Sequence, residues 1–521
     1  MAAQRVALQP PAAGALRNYL RARDMPDEVL VAWGGNAYGQ LGVGDTSDRL
    51  KAVRLETLPS SSALSSVVCG DYHTAVLTLD GELLTFGSGE HGQLGHGDGD
   101  GHCAAPRPVG GALLGARVCA VACGARHTLA LTTAGTAFAW GCGTFGALGL
   151  GVDVADEQPR PRPLPEFAAA GVAALAAGVY HSAALGADGR VYTWGWARQG
   201  QLGDGTEGSH SFAPAEVAAL APDDDDDDLA ITMPSLMPAA TALSPAARRG
   251  AVRVVRLVSG AHHLFVLNAD GDALCWGANS DGQLGLGDSA NRPTPTALDS
   301  AAFGGGEFEC RLVEVACGER HTAARTRDGA VYCWGDGCPA VSNGHPNHTP
   351  SPLPALSVGG ATVVQIACGF SHVAALTADG DVLWWEEGAL RRPRPPGRVA
   401  ALACGGYHSL AIAIADDDTS APPPPRALTP AGAAATGVTP PSPSLSPTKW
   451  ADAATAPQAP VSTSPLVAPT PTGARSSPPG ASPPEVAAAQ LIDGGARRPP
   501  AACPLPARPS LRCGDDHPGH F

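Results

Sequence analysis

The chain reads as all-β: a seven-bladed β-propeller closed by pairing of its N- and C-terminal segments and followed by a disordered Pro-rich tail. Three observations predict this. A Gly-x-x-His stretch recurs seven times, preceded by Cys in five of its copies. In six copies an aromatic residue stands 17 positions after the residue that precedes the glycine. The last copy has no aromatic half after it, and the first aromatic half, Trp33-Gly34, has no Gly-x-x-His before it. Placed end to end, the two orphans complete one unit, which is how a ring of sheets removes its exposed strand edges. A repeat of this length sets the reading of the whole chain.

The copies are Cys69-Gly70 to His73, Cys123-Gly124 to His127, Ala177-Gly178 to His181, Ser259-Gly260 to His263, Cys317-Gly318 to His321, Cys368-Gly369 to His372 and Cys404-Gly405 to His408. Their aromatic partners are Phe86, Trp140, Trp194, Trp276, Trp334 and Trp385. Within the first unit, residues 66–69, 74–78 and 82–86 are short β-branched and apolar runs that read as strands. Asp80-Gly81 separates the last two and predicts a hairpin with positive φ at both residues. The pair recurs at Asp188-Gly189, Asp270-Gly271, Asp328-Gly329 and Asp379-Gly380, with Ala134-Gly135 as a weaker copy. After the aromatic comes a Leu-Gly signature: Gln40-Leu41-Gly42, Gln93-Leu94-Gly95, Ala147-Leu148-Gly149, Gln201-Leu202-Gly203 and Gln283-Leu284-Gly285. Long helical periodicity is absent, so small radially repeated sheets are the natural architecture.

The stretch from Trp276 to Asp288, Trp-Gly-Ala-Asn-Ser-Asp-Gly-Gln-Leu-Gly-Leu-Gly-Asp, resembles the regulator-of-chromosome-condensation repeat family. The resemblance covers roughly residues 28–415 and implies a seven-bladed propeller with a split closing blade. It divides the chain into a lead-in (1–27), the propeller (28–415, with an insertion at about 206–250) and the tail (416–521). The family includes nucleotide-exchange factors, ubiquitin-ligase modules, a plant UV-B photoreceptor and adaptors, and a fold does not choose among functions.

The net charge is −15, and residues 416–521 carry seven Lys/Arg against eight Asp/Glu, so the propeller region holds almost all of it. An acidic body disfavours direct nucleic-acid binding and suits basic protein partners. No apolar run is long enough to span a membrane. The first 23 residues hold Arg5, Arg17, Arg21 and Arg23 with no acid, an amphipathic lead-in with mitochondrial import as a secondary reading. The 14 cysteines lack paired zinc spacing, and Ala177 and Ser259 replace two of them at one repeat phase. Size rather than sulfur chemistry is therefore required there. Reduced thiols packed in blade interiors follow, as does an intracellular location, cytoplasmic or nuclear.

Seven histidines spread around a ring cannot converge on one metal ion. His73, His127, His181, His263, His321, His372 and His408 therefore read as structural groups that hydrogen-bond within or between blades, with the glycines allowing close backbone approach. Trp33, Trp140, Trp194, Trp276, Trp334 and Trp385 read as interblade packing. Nothing resembles a nucleophile with its base, a phosphate-cradling loop or paired catalytic carboxylates, so the expectation is a non-enzyme without cofactor or metal.

Variation lies in the two residues between Gly and His, a slot which the family resemblance places on the partner-binding surface. The slots read Asp71-Tyr72, Ala125-Arg126, Val179-Tyr180, Ala261-His262, Glu319-Arg320, Phe370-Ser371 and Gly406-Tyr407. Candidate contact residues are Asp71, Tyr72, Arg126, Tyr180, His262, Glu319, Arg320, Phe370 and Tyr407, since Tyr and Arg supply area with polar ends. The Ran exchange factor of the family carries acidic residues in the second and third slots, where this chain has Ala125-Arg126 and Val179-Tyr180. The family's UV-B photoreceptor places Trp in these slots, and this chain has none there. The expected function is a non-catalytic protein-binding propeller. The alternative is a nucleotide-exchange factor for a small GTPase, and a light sensor is a more distant third.

Two units depart from the pattern. The third carries extra sequence that includes the six carboxylates Asp223 to Asp228, a solvated loop that reads as an inert expansion or as a lure for a basic protein tail. The sixth has Trp385-Glu386 in place of Trp-Gly and lacks the Leu-Gly signature, and Arg391, Arg392, Arg394 and Arg398 follow it, which marks a short blade. From Asp416 onward Pro, Ala, Ser and Thr dominate without apolar periodicity, so the tail is expected to be disordered. Within it Pro422-Pro423-Pro424-Pro425-Arg426 offers a polyproline ligand for an SH3- or WW-type partner, and Ser446-Pro447-Thr448-Lys449 fits a proline-directed kinase site.

Overall fold

A computed structural model describes residues 28–414, apart from 59–62, 98–100, 153, 155, 168–170, 222–252, 305–310, 339–345, 354–361 and 387–388. The lead-in, the Asp223 to Asp228 run, the Pro422 to Arg426 motif and the kinase-type site lie outside the described residues. Strands β1 to β28, numbered in chain order, form seven antiparallel sheets of four strands each. The first blade runs outward as β3 (Leu64–Cys69), β4 (His73–Thr78), β5 (Leu83–Gly87) and β6 (Cys103–Pro108). The closing blade joins β1 (Glu28–Gly34) and β2 (Arg49–Arg54) from the start of the chain to β27 (Arg398–Cys404) and β28 (His408–Ile414) from its end, in the order β2-β1-β28-β27. From Glu28↔Ile414 to Gly34↔His408 the register runs without a slip. The two orphan halves meet, and the ring is closed by backbone hydrogen bonds.

Each inner strand pair carries the same one-residue bulge, as between Leu64 and Ser66 in the first blade and between Val399 and Ala401 in the closing one. A bulge adds local twist, which a blade needs to pack against its neighbours. The Asp-Gly hairpins differ from expectation in one respect. Gly81 has φ of 85° but Asp80 is not in the left-handed region, and the Gly81 N–H donates to Thr78 O while the Thr78 N–H donates to Glu82 O. The loop is therefore three residues ending in a left-handed glycine, which relieves the aspartate of positive φ.

The core is divided among seven clusters, each shared by two neighbouring blades. Between the first and second blades, for instance, Leu77 and Leu83 pack against Ala130, Phe138 and Trp140. The insertion of the third blade is shorter than its sequence suggests. His210–Glu216 is that blade's outermost strand, β14, so the extra chain begins beyond it. The sixth blade is indeed short at its rim: β26 (Ala389–Arg391) pairs through three residues only. Among the described residues no helix is long and apolar enough to cross a membrane.

Candidate functional site: the slot face and the central channel

The slots connect the first and second strands of every blade, so antiparallel order puts all seven at one end of the ring. The loops that follow each aromatic-Gly pair reach the same end. The geometry begins at the glycines. A Cβ on Gly260 would lie 2.7 Å from Gly318 O, and each of the seven repeat glycines stands likewise against the carbonyl of the next, closing with Gly405 on Gly70. Only glycine permits a ring this tight.

The histidines lock neighbouring blades together. His73 Nε2 is 2.9 Å from Thr128 Oγ1 in the next blade, and that hydroxyl donates to Gln93 O at 2.8 Å. A hydroxyl has one proton to donate, so it accepts from an Nε2–H, while the buried Nδ1 has no hydrogen-bond partner among the described residues. The same relay joins His127 to Ser182 (2.8 Å), His263 to Thr322 (2.9 Å) and, across the seam, His408 to Thr74 (2.9 Å). Where the next blade has Leu264 or Val373 in that place, His181 turns to Ser259 Oγ and His321 to His372 O. Burial pushes His73, His263, His372 and His408 down to about 3 and His127 and His321 to about 4, and lowers His181 too. Trp140, Trp194, Trp276 and Trp334 donate from Nε1 to the carbonyl that precedes the preceding blade's Leu-Gly, at 2.9–3.0 Å. Trp33 follows the sixth blade, which lacks that signature, and its buried Nε1 has no partner among the described residues.

The repeat-phase cysteines are only partly in blade interiors. Cys275 and Cys333 are fully buried, but Cys69, Cys123, Cys317, Cys368 and Cys404 pack one side against interblade clusters and line a central channel with the other. The described cysteines are free, and burial raises these thiols well above their ordinary range.

The two residues of each slot part company. The first, namely Asp71, Ala125, Val179, Ala261, Glu319, Phe370 and Gly406, lines the channel together with the Cys-Gly pairs, around a cavity of about 180 Å³. Burial, and then the Glu319 charge, push Asp71 up to about 7 against the pull of Arg126. Glu319 is raised by burial despite Arg320 beside it. The second residue lies outside the channel wall, and its carbonyl accepts from the N–H that follows the aromatic-Gly pair, as Tyr72 O does from Ser88 and Tyr180 O from Trp196.

These outer slot residues build two aromatic arcs. In one, Tyr72 contacts Tyr38 (ring centroids 5.1 Å) and Tyr407 (5.9 Å), Phe370 contacts Tyr407 (5.0 Å), and His102 stands against Tyr38. In the other, Phe145 meets Tyr180 (5.5 Å), Trp196 (6.1 Å) and His210 (5.0 Å), and Trp196 reaches His262 (5.3 Å). Arg126 is half-buried beside the channel, whereas Arg320 is exposed but bound to Asp336 (2.6 Å) and Asp281 (3.5 Å).

Tyr38, Phe145 and Trp196 were not singled out from the sequence. Tyr38 and Phe145 share one repeat phase, five residues after a Trp, so a comparison of copies beyond the slots would have found them. Phe145 is also the one described non-glycine residue with positive φ, 61°. At the matching positions the N–H groups of Tyr38, His91, Gln199 and Asp281 donate to the side chain of the Gln two residues on. Ala147 replaces that Gln, and the loop relaxes into a turn that lifts Phe145 into partial exposure (37%).

Comparison with known proteins agrees with this architecture. Residues 29–385 match the family model described as the RCC1-like domain. The ultraviolet-B receptor UVR8 of Arabidopsis thaliana is 30% identical over 363 residues, 69% of this chain and 73% of that protein. The E3 ubiquitin-protein ligase HERC2 of Mus musculus is 39% identical over 193 residues, which is 37% of this chain and only 4% of the ligase. The crystal structure of Prp20p from Saccharomyces cerevisiae, a protein that binds Gsp1p and histones, superposes with a TM-score of 0.61 at 20% identity, over 76% of this chain and 93% of that one. At that identity the superposition speaks for the fold. The family match over most of the ring, the UVR8 relationship and the seam together establish that this chain belongs to the RCC1-like domain family.

Proposed function

We propose that this propeller is a non-catalytic protein-binding platform that engages its partner through the slot face. The observation that carries the reading is convergence: two aromatic arcs gather around one channel mouth with two carboxylates that form no ion pair among the described residues. Clustered aromatic residues beside charge are what interface centres are made of. In this reading Asp71, Tyr72, Arg126, Tyr180, His262, Glu319, Arg320, Phe370 and Tyr407 form the contact surface, joined by Tyr38, Phe145 and Trp196. The test is cross-linked capture of partners with the full chain. A Tyr72→Ser/Tyr407→Ser/Trp196→Ser variant should lose them, and Leu114→Ser, at an exposed leucine outside the slot face, should keep them. Loss with Leu114→Ser alone would refute the assignment.

A second reading, a nucleotide-exchange factor for a small GTPase, is supported by the fold shared with Prp20p, which binds Gsp1p. It would use the same face. Nucleotide release from a panel of loaded GTPases at catalytic amounts of the protein, abolished by Tyr72→Ala or Arg126→Ala, would favour it over the platform. The relationship to UVR8 suggests checking for a UV-induced change of oligomeric state. The interblade placement of the repeat tryptophans argues against one.

A further inference from the structure

Among the described residues, Asp71 and Glu319 are the only carboxylates that line the central channel. They come from the first and fifth blades, and among the described residues neither accepts a hydrogen bond or forms an ion pair. Arg126 acts on Asp71 only at a distance, and Arg320, beside Glu319, is already held by Asp281 and Asp336. A half-buried carboxylate without a partner is costly, and two that repel each other are more so. Such groups call for a counter-ion.

The rest of the wall narrows the choice. It consists of Cys, Gly, Ala, Val and Ser, with Phe370 as its one aromatic residue. Calcium takes six to eight oxygen ligands, which two carboxylates do not approach, and no group of three or more His, Cys, Asp or Glu suited to a metal occurs among the described residues. The cavity of about 180 Å³ opens to solvent and has room for an extended side chain. Its apolar stretch at Ala125, Val179 and Ala261 suits a methylene stem.

From this geometry we infer that the channel mouth receives a lysine side chain of the protein partner, its ammonium between Asp71 and Glu319 and its stem along the small apolar wall. The inference rests on the slot face being the docking surface and names the residue type that anchors it. Binding a cation there favours the ionised carboxylates, so it releases protons near neutral pH.

The probe is n-butylammonium, the lysine side chain without its backbone, with n-butanol as its uncharged counterpart and sodium chloride at equal ionic strength. At about 100 mM, n-butylammonium should raise the melting temperature of the full chain, as any ligand of the native state does. Calorimetry in buffers of different ionisation enthalpy should record proton release near pH 7. Both signals should vanish in Asp71→Asn/Glu319→Gln, which keeps side-chain size. No rise for the unsubstituted chain, an equal rise with n-butanol, or an equal rise in the double variant overturns the lysine site. The two readings fail separately. If the Tyr72/Tyr407/Trp196 substitutions abolish partner capture while Asp71→Asn/Glu319→Gln leaves it intact, the docking face stands and the lysine site falls.

Discussion

Acidification should unfold this ring unusually steeply, because seven imidazoles are locked neutral between its blades. In the unfolded chain each titrates near 6.5, whereas burial holds the folded groups at about 3 to 4 where a value is resolved. The folded pKa is depressed, so below pH 6.5 the unfolded state binds more protons than the native state and stability falls as pH falls. At pH 5.5 each histidine favours unfolding by about 1 kcal/mol, and seven together by several kcal/mol. That is comparable to the whole stability of a typical domain, about 5–15 kcal/mol. Asp71, Glu314 and Glu319 have raised carboxyls and work in the opposite sense, but they are three against seven. The assay is urea unfolding at pH 7.5, 6.5 and 5.5, with proton uptake on unfolding measured alongside. Full stability is expected above pH 6.5, with a progressive loss below it that His263→Gln makes shallower by about one proton. A midpoint unchanged between pH 7.5 and 5.5 would refute the neutral relay.

Further outcomes follow from the same geometry. Gly124→Ala sets a methyl against Gly178 O and the His127 ring, and denaturant unfolding should show a loss of about 1–3 kcal/mol. Ala147→Gln restores the side-chain acceptor that its sister loops use, so Phe145 can leave positive φ, and the same assay should show a gain of about 1 kcal/mol. Deleting residues 1–45 removes β1 and unpairs the seam, so stability should fall by several kcal/mol or the melting transition lose its cooperativity. Hydrogen exchange should be fastest in β26 of the sixth blade, which pairs through three residues only.

Sequence and structure divide the labour at identifiable residues. The unit length, the seven copies and the split closing blade were readable because each blade repeats one solution to the same packing problem. Only glycine fits where neighbouring backbones touch at Gly260 and Gly318, and the positions just before the repeat glycines carry Cys, Ala or Ser. The hairpins were found through Asp-Gly, but their loop length was not, since two- and three-residue turns share that pair and differ only in where positive φ falls. The start of the third-blade insertion was misplaced because His210–Glu216 is polar and half-exposed, as an outermost strand can be.

Sequence alone determined the ring and its closure, because these depend on local turn chemistry and on contacts that recur in every copy. Tertiary structure decided what the ring presents. It sends Asp71 and Glu319 into the channel and Tyr72 and Tyr180 out onto the face, and it brings Tyr38 and Phe145, from loops outside the slots, beside those tyrosines. Those proximities arise between blades whose residues are far apart along the chain. Their physical cause is the radial geometry that aligns like positions around one axis, which no single unit contains.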